Sequence, residues 1–111
     1  MKIKTYMYHF NRRKLRTLLK ELRSRKISGV QSLADSCPLH NLIEQELKEK
    51  TDFNPNIDDI IVRTDYVLIQ KADWKVPKSF RLNDEAKYFI EQFDRGRFSE
   101  FDYYYKGEFY G

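Results

Sequence analysis

Two hydrophobic periods alternate along the chain, and the switches between them outline its elements. In residues 2–10, Tyr6, Tyr8 and Phe10 fall on one face of an extended ribbon, with Ile3, Thr5 and Met7 on the other. β-Branched and aromatic residues favour that conformation, so the stretch predicts a strand. Asn11 stands where an N-cap belongs, because its side-chain oxygen can accept from the free amides of a first turn. Leu15, Leu18, Leu19 and Leu22 then recur at i, i+3, i+4 and i+7. That is one apolar stripe of a helix, which Gly29 can end. Residues 30–36 predict a short helix. Pro38 suits the first turn of another, with Ser36 or Cys37 just before it. Leu39, Leu42, Ile43 and Leu47 keep helical spacing to about Lys50, although Glu46 falls inside their apolar arc.

The second half returns to strand periodicity. Residues 52–56, DFNPN, carry turn chemistry. Residues 59–71 predict one or two strands, IIV and YVLIQ, broken near Thr64 and Asp65. ADWKVPK is irregular, and residues 79–82 return to a strand. Asn83 caps a further helix with Asp84 and Glu85 in its first turn, where the helix dipole favours anions. Ala86, Phe89, Ile90 and Phe93 form its stripe, and Arg95 with Gly96 ends it. In residues 98–111, Phe101, Tyr103 and Tyr105 alternate with Asp102, Tyr104 and Lys106, a last strand. The order β-α-(α)-α-β-β-α-β describes an α+β fold in one domain, residues 1–111. Its two Tyr-rich terminal strands, one basic and one acidic, are expected to pair.

Charge sharpens this picture. The net charge is +4 over 111 residues. The first 30 residues hold ten Lys or Arg and only Glu21, a balance of +9, while residues 31–111 balance at −5. Such a split marks a chain that meets an acidic partner through one end, or one whose basic end docks on its own acidic end. On a helical wheel the leucines span about 100°. Arg12, Arg13, Arg16, Lys20 and Arg23 form a separate band beside them with no interleaved acid. Like charges at i,i+4 destabilise a helix, and an acidic partner offsets that repulsion. Phosphates are one candidate, since each one neutralised releases counterions. An acidic groove on another protein is the other.

Three stretches together resemble a winged helix-turn-helix domain, across residues 12–95. SLADSCPLHNLIEQEL looks like the family's paired helices. Residues 66–82 look like its wing hairpin, carrying Lys71, Lys75, Lys78 and Arg81. SFRLNDEAKYFIEQF looks like the closing strand and last helix. In that family the second helix enters the major groove and the wing meets the backbone. Here the outward face of that helix would show Asn41, Glu44, Gln45, Lys48 and Glu49. Its carboxylates repel phosphate, and the cations sit on the first helix instead.

Other chemistry is sparse. Cys37 and His40 have a spacing metals use, but two ligands are too few, which leaves an ordinary thiol and a surface or capping imidazole. No Gly-rich phosphate loop and no Ser-His-Asp signature occurs, so neither an enzyme nor a cofactor is expected. No apolar run approaches a membrane span, and the first residues lack the apolar stretch of a secretory signal. A single cysteine fits a reducing compartment, and the chain reads as a soluble cytoplasmic protein with no membrane partner. Trp74, flanked by Lys71, Lys75 and Lys78, could stack on a base, anchor a protein interface or fold back onto the core. The Tyr-rich tail could complete a sheet or pair edge-to-edge in a homodimer.

Two functional readings follow. One is a small regulatory protein that binds nucleic acid without catalysis, through Arg12, Arg13, Arg16, Lys20 and Arg23, helped by Lys71, Trp74, Lys75 and Lys78. The other is an inhibitor of the phage or mobile-element type that binds a host protein, such as a nucleic-acid-binding effector.

Overall fold

In the computed structural model, which describes residues 1–103, the chain is an α+β domain of four helices and a three-stranded antiparallel sheet. The helices are α1 (Ile3–Phe10), α2 (Leu15–Ser24), α3 (Pro38–Lys50) and α4 (Asp84–Asp94). The strands are β1 (Asp59–Val62), β2 (Tyr66–Gln70) and β3 (Lys78–Arg81), adjacent in chain order. α3 packs against both β1 and α1, while α2 packs on α4.

The N-terminal stretch is a helix, where alternation predicted a strand. Its sequence satisfies both periods, since Ile3, Tyr6, Met7 and Phe10 also recur at i, i+3, i+4 and i+7. All four are buried, and burying one continuous apolar stripe decides between the periods. Tyr8, which a strand would set beside Tyr6 and Phe10, is 60% exposed. No N-terminal strand therefore exists to pair with the C-terminal one. The predicted C-terminal strand falls mostly on residues 104–111, outside the described residues. Within them, Ser99–Phe101 is a 3-10 turn, and Asp102 makes an isolated parallel bridge to Gly29.

Other local expectations change as well. Residues 30–36 are turns, not a short helix. Asn11 is the C-terminal boundary of α1, not the cap of α2; Lys14 holds that place without a side-chain bond. Asn11 works across the fold instead. Its Nδ2 donates to the Arg81 carbonyl at 2.7 Å and its Oδ1 accepts from the Asn83 amide at 3.1 Å. Asn83 Nδ2 donates in return to the Asn11 and Arg13 carbonyls. The Asn83 Oδ1 accepts from the Ala86 amide, capping α4 as its sequence predicts. One pair of asparagines thus ties the α1–α2 turn to the β3–α4 junction.

The remaining elements match their patterns. In α3, Pro38 occupies the first turn and Cys37 Sγ accepts from the His40 amide. Ile60 pairs with Ile69, and Val62 with Val67 and, through β2, with Phe80. These residues share the core face of the sheet, as alternate side chains must.

Lys26, at φ 55°, closes α2, so Gly29 is not the helix stop. Gly29 is needed for close approach. Its amide donates to the Phe101 carbonyl at 2.8 Å, and an added Cβ would lie 2.5 Å from the Pro38 nitrogen and 2.5 Å from the Ser36 oxygen. Both obstacles are backbone and cannot rotate away. Gly29→Ala is expected to destabilise the fold by about 3 kcal/mol, the upper range for overpacking, read as a lower urea midpoint at unchanged slope.

Candidate basic interface

The basic half of the chain contains two populations of cations, divided by whether a carboxylate reaches them. The division starts at Glu46. Its position in the apolar arc of α3 buries it, with 1% of its side chain exposed. Arg13 meets it in a bidentate pair, with both nitrogen–oxygen distances 2.9 Å. The Tyr6 hydroxyl donates to it at 2.6 Å. Arg25 and Lys50 stand 3.7 and 3.8 Å away. Burial disfavours the charged carboxylate, but the bonds from Arg13 and Tyr6 outweigh it and hold the pKa below its ordinary value. Burial, and then the charge of Glu46, push the Tyr6 phenol up, so it stays a donor.

Arg25 extends this network to the end of α2, pairing with Glu21 at 2.7 Å and Glu49 at 2.8 Å. Arg23 is also engaged, forked onto Glu100 at 2.8 and 3.2 Å and lying over the Phe101 ring. The acidic remainder of the chain therefore neutralises Arg13, Arg23 and much of the charge around Arg25.

Arg12, Arg16 and Lys20 are the members of the predicted band left to solvent. All three are exposed, and among the described residues none forms an ion pair. α2 begins only at Leu15, so Arg12 and Arg13 lie in the preceding turn and not on its wheel. Arg12 instead rests on α1: its guanidinium lies 5.7 Å from the Tyr8 ring centroid and donates to the Tyr8 hydroxyl at 3.3 Å. Lys4 is four residues before Tyr8 on the same helix face. A Lys4–Tyr8–Arg12 line thus joins the band. Sequence reasoning missed it because the strand reading set Lys4 and Tyr8 on one face and Arg12 beyond its end; spacing by fours was the available signal.

The lysines around the predicted wing also separate. Lys71 is buried. Its ammonium lies 3.3 Å from Asp52 Oδ2 and 3.5 Å from Asp58 Oδ2. Asp58 further accepts from the Asn54 and Ala72 amides, so this lysine holds loops together and offers nothing to a partner. Lys75 is exposed. Lys78 lies over the Trp74 indole, its nitrogen 4.3 Å from the ring centroid. Trp74 is half-buried and packs on the edge of the core. Between these residues and the start of α1 runs a groove of about 420 Å³, whose walls include Lys2, Lys4, Trp74, Lys78 and Phe80.

Part of the α3 face that would read a groove is engaged within the chain, while Gln45, Lys48 and Glu49 remain exposed. Asn41 donates to the Ser28 carbonyl at 2.8 Å and its Oδ1 lies 3.0 Å from His40 Nδ1. Glu49 pairs with Arg25, and Gln45 lies 3.4 Å from it. Cys37 is buried and burial pushes its thiol up to about 11. Among the described residues no cluster of three His, Cys, Asp or Glu residues could hold a metal, and no helix is long and apolar enough to cross a membrane. No protein-family model, curated protein or solved structure matches the chain.

Glu46→Gln keeps the shape but removes the charge that Arg13 faces. Breaking a buried pair costs about 3–5 kcal/mol; Arg13 remains 20% exposed and water recovers part of that, so about 2 kcal/mol is expected in urea unfolding. The pH dependence follows in sign. The folded state lowers the Glu46 pKa from 4.5, so below that pH the unfolded chain binds the proton more readily. The stabilisation is complete above 4.5 and is lost as pH falls through the lowered folded value. Because Asp58 and Glu49 are lowered as well, the variant is expected to show a shallower acid loss than the parent, not a flat one.

Proposed function

We propose that this is a small non-enzymatic protein that binds nucleic acid through the exposed cations Arg12, Arg16 and Lys20. One observation carries the reading. Arg13, Arg23 and Arg25 are each paired with carboxylates of the same chain, yet among the described residues Arg12, Arg16 and Lys20 beside them have none. Unpaired cations repel one another, and a phosphate backbone relieves that repulsion with release of its counterions. Lys4 and Tyr8 extend the contact along α1, and Lys75 and Lys78 extend it toward the β2–β3 loop. The internal engagement of Asn41 and Glu49 favours backbone contact over base reading by α3. A winged-helix-like arrangement agrees with the β2–β3 hairpin and the helix behind it, with Lys75, Lys78 and Arg81 in the place of a wing. A buried unpaired cysteine agrees with action in a reducing cytoplasm.

A second reading, the inhibitor that binds a host protein, is favoured by the exposure of Tyr8 and of Tyr88, 49% exposed. Exposed tyrosines suit a protein contact. Fluorescence anisotropy with duplex DNA, single-stranded DNA and an RNA hairpin separates the two. Contact by Arg12, Arg16 and Lys20 alone predicts a slope of about −2 to −3 in log K against log salt, depending on whether the strand is single or double, and Lys4, Lys75 and Lys78 steepen it. Arg16→Glu with Lys20→Glu is expected to abolish binding at physiological salt while leaving the unfolding midpoint within about 0.5 kcal/mol of the parent. Arg13 is spared in this test, since its loss would unpair Glu46. Absence of binding to all three probes even at low salt overturns the nucleic-acid reading and leaves an acidic protein as the partner.

A further inference from the structure

The groove beside Trp74 combines three features that an ordinary surface cleft lacks together. It has an aromatic wall, made by Trp74 and Phe80. It has flexible cations at its rim, Lys2, Lys4 and Lys78, while the fourth lysine of its lining, Lys71, is already held by Asp52 and Asp58. It also has the volume of a small-molecule site, about 420 Å³, within the usual range of about 300–1,000 Å³. β3 builds two of the walls at once. Lys78 and Phe80 are two residues apart and so share a face of the strand. α1 supplies the opposite rim, with Lys2 just before the helix and Lys4 in its first turn.

We infer that this groove binds a nucleotide, with the base stacked on Trp74 and the phosphate held by Lys2, Lys4 and Lys78. The position of Lys78 shows that the indole face is open to a charged group and already draws one. A base stacks more strongly on an indole than one exposed ammonium does, and every base has a face to offer. The displaced lysine is long enough to turn to the phosphate of the same nucleotide. An acidic peptide would satisfy the lysines and leave Trp74 and Phe80 unmatched. A neutral sugar would match the ring and leave the cations bare. Asp73 is the acid at the rim without an ion pair among the described residues, and it repels phosphate from its own side only.

The inference deepens the nucleic-acid reading by specifying a single strand, whose bases are free to stack. From Lys4 the line to Tyr8 and Arg12 leads out of the groove. Lys4 and Tyr8 are about 6 Å apart along the axis of α1, and Arg12 in the following turn rests on the Tyr8 ring, so a strand with one base seated on Trp74 has a basic track to follow. A free nucleotide shares the chemistry of the groove without using that track.

Trp74 is the only tryptophan in the chain, so its intrinsic fluorescence reports on the groove and on nothing else. The test titrates the protein with AMP, with a deoxythymidine octanucleotide and with inorganic phosphate. Saturable quenching by AMP and by the octanucleotide, and none by phosphate alone, is expected. Lys4→Glu with Lys78→Glu, both exposed residues, should weaken each quenching ligand roughly tenfold or more. Arg16→Glu with Lys20→Glu should leave AMP unchanged and weaken only the octanucleotide. A clear preference of the parent for the octanucleotide identifies a strand as the ligand, and equal affinity identifies a free nucleotide; both uphold the groove. Absence of quenching by AMP and octanucleotide alike, or quenching that Lys4→Glu with Lys78→Glu does not weaken, overturns it. If anisotropy still reports a strand bound through Arg16 and Lys20 in that event, the groove falls and the wider reading stands.

Discussion

A buried carboxylate on α3 holds the domain together. Glu46 sits where periodicity calls for an apolar side chain, and its charge can stay there only if it is surrounded by donors. Those donors come from three other places in the chain: Tyr6 of α1, Arg13 of the turn after it, and Arg25 after α2. Leaving out Arg13 would leave a buried carboxylate without its charge partner, which costs more than losing an exposed ion pair. The consequence is directional. A leucine at that position would attract α1 and α2 through contact area alone, and contact area tolerates sliding. A carboxylate with two oxygens accepting a planar guanidinium fixes the angle as well. The buried-pair network therefore ties α1, the turn after it and the C-terminal end of α2 to α3, and with that sets which of their cations face outward.

A second joint transmits that placement to the sheet. Asn11 and Asn83 exchange side-chain and backbone bonds between the α1–α2 turn and the entrance of α4. Asn83 Nδ2 also holds the carbonyl of Arg13, so the residue that pairs with Glu46 is fixed at its backbone by one network and at its side chain by the other. β3 ends at this joint. The position of Lys78 and Phe80 opposite the start of α1, and hence the groove containing Trp74, follows from it.

Legibility in the sequence tracked the range of the interactions. The hairpins, the Pro38 start of α3 and the Asn83 cap of α4 are set by neighbours within a few residues, and their patterns read correctly. Residues 3–10 failed because two periods coexist there. Tyr6, Tyr8 and Phe10 alternate, while Ile3, Tyr6, Met7 and Phe10 step by threes and fours, and β-propensity was the weaker guide once α3 offered a surface to cover. The basic band was legible as a band and not as a site. Arg13 and Arg16 look alike on any wheel, but Arg13 has a partner 33 residues away and Arg16 has no ion pair among the described residues. Glu46 was visible as an irregularity in the apolar arc. Nothing local said that the irregularity and the surplus arginines were each other's answer.

The choice of cation follows the same division. Among the described residues, the three cations that form two-point bonds with one carboxylate are all arginines: Arg13 on Glu46, Arg23 on Glu100 and Arg25 on Glu49. Only a guanidinium presents two parallel donors at the spacing of a carboxylate, and it loses less in leaving water than an ammonium does. The exposed cations near them are mixed, Lys4, Arg12, Lys14, Arg16 and Lys20. An exposed ammonium makes no fixed geometry and stays well hydrated, so it contributes little to the fold. It still adds to the field that a polyanion meets on approach. The balance of +9 in the first 30 residues thus has two physical origins. Part is structural charge, matched by acids further along the chain and silent at a distance. The rest is concentrated where α1 and α2 face solvent, and under the proposed function it is that part of the field that would orient an acidic partner.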